Sequence, residues 1–293
     1  MIYTATARDI PGLIKLWENC FTTDSSFINN FFKSGFSHSH TFIIKVNEIV
    51  VSSVSILPSH TKIFYEGSLR KVVGGYLYAV ATLPEHQKKG YSTMLTNFAI
   101  KHCRERGYTF IAVYPASNSL YNHYIKNGFN KELYCNSVMI EFPGNEYLPS
   151  IDSFTIKSNE ELFIALEKNF NRQTILFDIS FADFILKDIQ NKQGKLIKLP
   201  SQNLYLLEPS LEEDCSFNII GSVSPKEFLI NSSIFASILK QNKIKYYFPI
   251  NNTSDSNLNF YKDVTIKRRG LLKVLDSRFE DSLQNLFLLY PIE

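Results

Sequence analysis

Apolar residues recur along this chain at two alternating spacings, every three to four residues in some stretches and every second residue in others. The pattern predicts a strand over residues 2–6. A helix follows from about Asp9, with Asp9 as N-cap, Pro11 in the first turn and Leu13, Ile14, Leu16 and Trp17 as its buried stripe. A second helix from Asp24 carries Phe27, Ile28, Phe31 and Phe32. Strands over 41–46 and 48–57 are separated by a tight turn at Asn47, and a hairpin around Glu66-Gly67-Ser68 leads into a long strand over 71–82. Residues 83–90 form a turn. Residues 92–106 have helical spacing at Leu95, Phe98 and Ala99 and stop at Gly107. Strand (109–114), helix (118–126) and strand (132–142) complete the first half.

Residues 143–150 contain two prolines, a glycine and few apolar positions, so the domain boundary is expected there, between a first domain over 1–145 and a second over 150–293. The second half repeats the order of elements. It reads as a strand over 154–157, helices over 159–170 (capped by Asn159) and 181–191 (capped by Ser180), and strands over 195–199, 203–208 and 214–223. A helix over about 224–241 has Pro225 in its first turn and Glu227 at the capping-box position, and strands follow over 244–249, 270–275 and 286–291. This is an α/β (α+β) chain with a mixed central sheet and flanking helices, and the repeated order suggests an internal duplication.

Composition narrows the function. With 293 residues, 44% hydrophobic and 20% charged, the chain has the make-up of a soluble protein of two domains. Its net charge of +3 arises from 31 basic and 28 acidic residues scattered without basic blocks, which argues against nucleic acid as a partner. The N-terminus has no charged region followed by an apolar one, and no stretch reaches about 18 uninterrupted apolar residues; a cytoplasmic protein without membrane attachment is expected. Cys20, Cys103, Cys135 and Cys215 form no C-x-x-C pair, and His38, His40, His60, His86, His102 and His123 lack the i, i+4 spacing of a zinc helix, so no metal is expected.

Chemistry concentrates where the long strand passes into a helix through Thr82-Leu83-Pro84-Glu85-His86-Gln87-Lys88-Lys89-Gly90-Tyr91-Ser92-Thr93. Gly90 lets the backbone approach an anion closely, the following residues present free N–H groups at a helix start, and Lys88 and Lys89 add positive charge. The arrangement suits a diphosphate. Beyond the next strand, Tyr124 lies on a helix four residues before the Gly128-Phe129 stop.

Together Gln87-x-x-Gly90-x-Ser92 and Tyr124-x-x-x-Gly128-Phe129 resemble the signature of the GCN5-related N-acetyltransferase (GNAT) family over about residues 1–145, with Ser92 where that family prefers Gly or Ala. The resemblance implies a GNAT fold followed by a second GNAT-like lobe, with acetyl-CoA as co-substrate and a primary amine of a small molecule or peptide as acceptor. It further implies that Val80, Ala81 and Thr82 offer main-chain groups to the pantetheine arm, that Gln87, Lys88, Lys89, Gly90, Tyr91, Ser92 and Thr93 hold the pyrophosphate, and that Asn118 and Tyr121 contact the cofactor. The pantetheine would lie between the strand at Val80 and the strand at 111–114, pairing as an added strand. Tyr124 is the expected proton donor to the departing thiolate, with an oxyanion donor near Ala81 or Thr82.

No general base stands out among Glu66, His38 and His60, read as loop residues, Tyr76 and Tyr78 on the long strand, and the C-terminal Glu293. Phe21, Phe27, Phe31, Phe32 and Phe36 wall the expected acceptor pocket, with Phe27 and Phe36 singled out as substrate contacts. The second half reads Val223-Ser224-Pro225-Lys226-Glu227-Phe228 at the equivalent turn, where Pro225 removes a donor and Glu227 adds like charge. That lobe is expected to be degenerate, as in two-lobed acetyltransferases of the mycobacterial enhanced-intracellular-survival type, and to shape the acceptor site or a homo-oligomer contact. The alternatives are a non-catalytic acyl-CoA-binding or regulatory module, and an aminoacyl transferase of the tandem GNAT type.

Overall fold

The computed structural model describes residues 1–21, 25–141, 154–155, 158–169, 174–198, 204–209, 217–221, 228, 235, 243–249, 264–284 and 286–288. In the first half β1 (Ile2–Thr4), α1 (Ile10–Cys20) and α2 (Ser25–Asn30) are followed by a wide turn at Phe31–Gly35. Next come β2 (Thr41–Val46), β3 (Ile49–Tyr65), β4 (Ser68–Thr82), α3 (Tyr91–Glu105), β5 (Phe110–Val113), α4 (Asn118–Lys126) and β6 (Lys131–Glu141). The second half contributes β7 (Phe154–Thr155), α5 (Asn159–Asn169), β8 (Thr174–Phe177), α6 (Ala182–Asn191), β9 (Lys195–Lys198), β10 (Leu204–Pro209), β11 (Phe217–Gly221), β12 (Lys243–Pro249), β13 (Thr265–Val274) and β14 (Phe287–Leu288).

The turns expected at Asn47 and at Glu66-Gly67 are present, each as two consecutive left-handed residues: Asn47 and Glu48 at φ 49° and 63°, Glu66 and Gly67 at 48° and 75°. β3 extends eight residues beyond its expected end at Leu57, because Pro58 does not break it. β3 pairs with β2 only as far as Ser55, so the missing N–H of Pro58 costs no ladder bond to β2, and on that edge its carbonyl accepts from Asp178 N–H at 2.9 Å. The same edge receives β8, a strand that periodicity did not predict, at Ser59 and His60. Asp9 is at the N-cap position of α1 without capping it; its carboxylate accepts from Thr6 N–H (2.8 Å) and pairs with Lys45 (2.6 Å). Asp178, rather than Ser180, caps the turn before α6, accepting from Ser180 N–H at 3.0 Å.

One mixed sheet runs in the order β1-β2-β3-β4-β5-β13-β6-β12-β11-β10-β9-β7. β13, from the end of the second half, lies between β5 and β6 and is antiparallel to both. Viewed from the β13–β6 pair the sheet reads alike in both directions: β5, parallel to β4, borders a strand of the second half, and β12, parallel to β11, borders a strand of the first. α1, α2, α5 and α6 share one apolar core on one face, whereas α3 and α4 pack on the other. The glycine pair in β4 permits close contact with β5, since a Cβ on Gly74 would lie 2.4 Å from the Phe110 ring.

Of the helix expected over 224–241, only Phe228 and Phe235 are described; both are helical and fully buried. The linker at 143–150, the turn at 223–227, Asp24, Cys215 and Glu293 lie outside the described residues. Among the described residues, no helix is long and apolar enough to cross a membrane.

Candidate active site

β4 and β5 pair in parallel from Gly74–Phe110 to Leu77–Val113 and then separate. The cause is local: β5 ends at Val113, and Pro115, two residues on, has no N–H to continue a ladder. β4 continues to Thr82, and among the described residues one main-chain edge of its last residues has no strand partner. Its register with β3 slips here, from Ser55–Tyr78 to Ser53–Ala81, and Ala79 takes up the extra length with φ 48°. Sequence reasoning missed this bulge, because alanine carries no signal for left-handed backbone.

At the end of β4, Ser52 Oγ donates to the carbonyl of Ala81 at 2.7 Å and hydrogen-bonds Thr82 Oγ1 at 2.8 Å. A single tight turn at Pro84–His86 follows, and Gln87 Nε2 donates across it to the Thr82 carbonyl at 3.3 Å. Gly90 then adopts φ 80° as the N-cap of α3, with no side-chain cap. The first N–H groups of α3 therefore remain open at the positive end of a four-turn helix. Nothing lies within 4 Å of where a Gly90 Cβ would project, so its backbone conformation is what calls for glycine.

The Tyr-x-x-x-Gly-Phe segment acts as a mount for Tyr124. Gly128 ends α4 in the left-handed conformation (φ 85°), which turns Phe129 back so that its N–H donates to the Tyr124 carbonyl at 3.1 Å. The Phe129 ring, fully buried, meets the Tyr124 ring edge to face at 5.6 Å. Lys273, on β13, donates to the carbonyls of Asn127 and Gly128 at 3.2 and 3.3 Å and so caps the negative end of α4. Burial pushes the Tyr124 phenol far above its ordinary range.

Two clefts meet at this residue. The first, about 630 Å³, has Trp17, Phe21, Phe27, Tyr76, Tyr78 and Tyr114 on its walls, and every described residue lining it is aromatic or aliphatic. The second, about 880 Å³, is polar: Thr82, His86, Gln87, Lys88, Gly90, Tyr91, Ser92 and Thr93 line it, with His123 opposite. Val80, Leu120 and Tyr124 belong to both. Ser92, the departure from the signature, hydrogen-bonds His123 Nε2 at 3.1 Å and thereby ties the start of α3 to α4. Burial lowers the His123 pKa.

Other expected site residues lie elsewhere. Lys89 and Asn118 line neither cleft. Tyr121 is packed under the Arg268 guanidinium, 4.6 Å from its ring centre, and its phenol is pushed up to about 12, chiefly by burial. Phe36 packs on Phe32 and His38 outside the clefts, whereas Phe27 lines the aromatic one.

Among the bases considered, Glu66 pairs with Arg70 at 2.9 Å and His38 packs on Phe36. His60 is a buried residue of β3, not a loop residue, and bonds Glu167 of α5 at 2.6 Å. Tyr76 and Tyr78 line the aromatic cleft; burial, the nearby Asp188 charge and Tyr76 raise the Tyr78 phenol. Trp17, Tyr114, Leu120 and His123 are cleft residues that sequence reasoning did not select. Only the pairing of His123 with Tyr124 on one short helix hinted at any of them.

The profile of the acetyltransferase (GNAT) domain matches residues 1–128. No curated protein matches the chain in sequence. Among solved structures the chain is similar to the Eis1 protein of Mycobacterium abscessus, at 13% identity and a TM-score of 0.66 over 94% of this chain and 74% of that one. It is also similar to a GCN5-related N-acetyltransferase from Anabaena variabilis (12% identity, TM-score 0.65, 96% and 74% covered) and to one from Kribbella flavida (10% identity, TM-score 0.63, 94% and 71% covered). At such identities the likeness is one of fold; the profile match and the Gly90 and Tyr124 motifs carry the assignment. Residues 1–128 of this chain are therefore an acetyltransferase (GNAT) domain.

Proposed function

We propose that the chain moves an acetyl group from acetyl-CoA directly to a primary amine of a small molecule or peptide. The observation that carries this reading is the meeting of a polar, helix-capped cleft and an aromatic cleft at Val80, Leu120 and Tyr124. The open N–H groups of α3 and the Lys88 ammonium fit a diphosphate, and the unpaired edge of β4 fits an extended pantetheine amide chain. In the transfer, the amine lone pair attacks the thioester carbonyl, the C–S bond breaks, the thiolate takes a proton from the Tyr124 hydroxyl, the new ammonium loses one to solvent, and Tyr124 regains one from solvent. A main-chain N–H near Ala81 or Thr82 would receive the developing negative charge.

Only the first half has this pair of clefts among the described residues, which supports one active centre per chain with the second lobe as its buttress. The test is Gly90→Glu. The added side chain has room, but it forces a non-glycine residue to φ 80° and brings a carboxylate to the anion cradle. Acetyl-CoA binding by calorimetry should be lost while the chain stays folded, with a melting temperature lowered only by the strain of a non-glycine residue at this φ; unchanged binding would overturn the proposed cradle. Thiol release from acetyl-CoA with a panel of amines separates an enzyme from a module that only binds.

A further inference from the structure

The aromatic cleft differs in kind from its neighbour. Trp17 and Phe21 of the α1 end, Phe27 of α2, and Tyr76 and Tyr78 of β4 face into it, and no acidic or basic side chain lines it among the described residues. The wall is braced rather than loose: Trp17 contacts Tyr78 edge to face at 5.8 Å, Tyr76 contacts Phe177 at 5.3 Å, and Phe27 contacts Phe184 at 5.6 Å. Phe177 and Phe184 come from the second half, so both lobes set its shape. The buried carboxylate of Asp188 on α6, whose charge acts on Tyr78, is paired with Lys192 at 3.0 Å and does not line the cleft.

Taking the acetyl-transfer reading as its basis, we infer that the acceptor is a monoamine with an aromatic or bulky apolar body, and that polyamines and other polycationic amines are excluded. A single ammonium entering this cleft meets ring faces, which attract it weakly, and loses water, which favours its neutral, nucleophilic form. An acceptor that sheds its proton on entry needs no strong base in the cleft, consistent with the engagement of His60 and Glu66 elsewhere. Among the described residues no counter-charge lines the cleft, so a second or third ammonium would be desolvated there without one. The apolar body of the acceptor, by contrast, gains from burial against the rings.

The experiment compares phenethylamine, ethylamine and putrescine in two assays on the full chain: thiol release from acetyl-CoA, and calorimetric binding with coenzyme A present. Phenethylamine should exceed both other amines by roughly 100-fold in kcat/KM and should bind more tightly than putrescine. Phe21→Asp, which adds a carboxylate at the half-buried end of α1, should narrow or invert that preference. Binding or turnover of putrescine equal to that of phenethylamine in the wild-type chain overturns the inference and leaves acetyl transfer intact. Selective binding of phenethylamine without thiol release sinks the transfer reading and leaves the selectivity of the cleft standing.

Discussion

Two side chains show how single residues acquire their roles here. Tyr124 is the phenol shared by both clefts, and its burial favours the protonated form, so it stays a competent acid where an ordinary tyrosine would begin to ionise. Tyr124→Phe should lower kcat by about 100-fold or more with little change in acetyl-CoA affinity; steady-state kinetics beside calorimetry checks both. Because the shift is upward, the wild-type rate should show no loss from this group between pH 8 and the ordinary tyrosine value of 10, and a falling limb inside that range in the pH profile of kcat would assign the acid elsewhere. Gly74 acts through its lack of a side chain. Gly74→Ala puts a Cβ against the Phe110 ring in fully buried surroundings, and a loss of about 1–3 kcal/mol in urea unfolding is expected. The motif glycines were legible because each needs a left-handed backbone, and glycine is the residue that marks one; Ala79, also left-handed, was not.

At the level of elements, the expected order of helices and strands was largely recovered through β6, since amphipathic spacing is a local property. Ends were less legible. β3 continues through Pro58 because its neighbour β2 has already stopped, a fact about another strand that no local pattern contains. The C-terminus of α4 is a further case: its cap comes from Lys273, 145 residues beyond Gly128. Lys273→Met should remove that cap and cost about 1 kcal/mol of stability, measurable by urea titration. Its effect on turnover should exceed its effect on cofactor binding, because the helix it caps carries Tyr124. Equal losses in the two would mean that the cap serves stability alone.

For the whole molecule, the halves are joined by strand pairs (β13 with β5 and β6, β12 with β6, β8 with β3), by a shared apolar core and by ion pairs, among them a charged cluster on the β3–β4 hairpin. Glu167 of α5 meets His60 at 2.6 Å, Lys62 at 2.6 Å and Lys71 at 2.9 Å. Burial opposes ionisation of Glu167, but the two lysines and His60 outweigh it and hold the carboxyl down to about 2. A depressed carboxylate stabilises the fold above its unfolded value near 4.5, and this contribution fades as pH falls from there toward 2. For His60, burial and then Lys71 push the pKa below 6.5, against the pull of Glu167, so its contribution also weakens once pH drops below that value. Glu167→Gln should lower stability at pH 7 by about 1–2 kcal/mol after allowance for solvent screening, and thermal melts of variant and wild type should converge as pH approaches 2. Curves that stay parallel across that range would show that the cluster does not link pH to stability.

By itself the sequence determined the periods of its helices and strands, the open-ended turn at Gly90 and the glycine stop behind Tyr124, because each depends on backbone conformations and spacings held within a few residues. The tertiary structure alone decided that β13 lies between β5 and β6, that β4 shifts its register against β3 at Ala79, and that Trp17, Tyr78 and Tyr114 face one cleft while Tyr121 and Phe36 do not. Those outcomes depend on which apolar surfaces are buried against each other across the chain. Burial carries no direction, so an apolar stripe tells a residue to be inside without saying what it will face there.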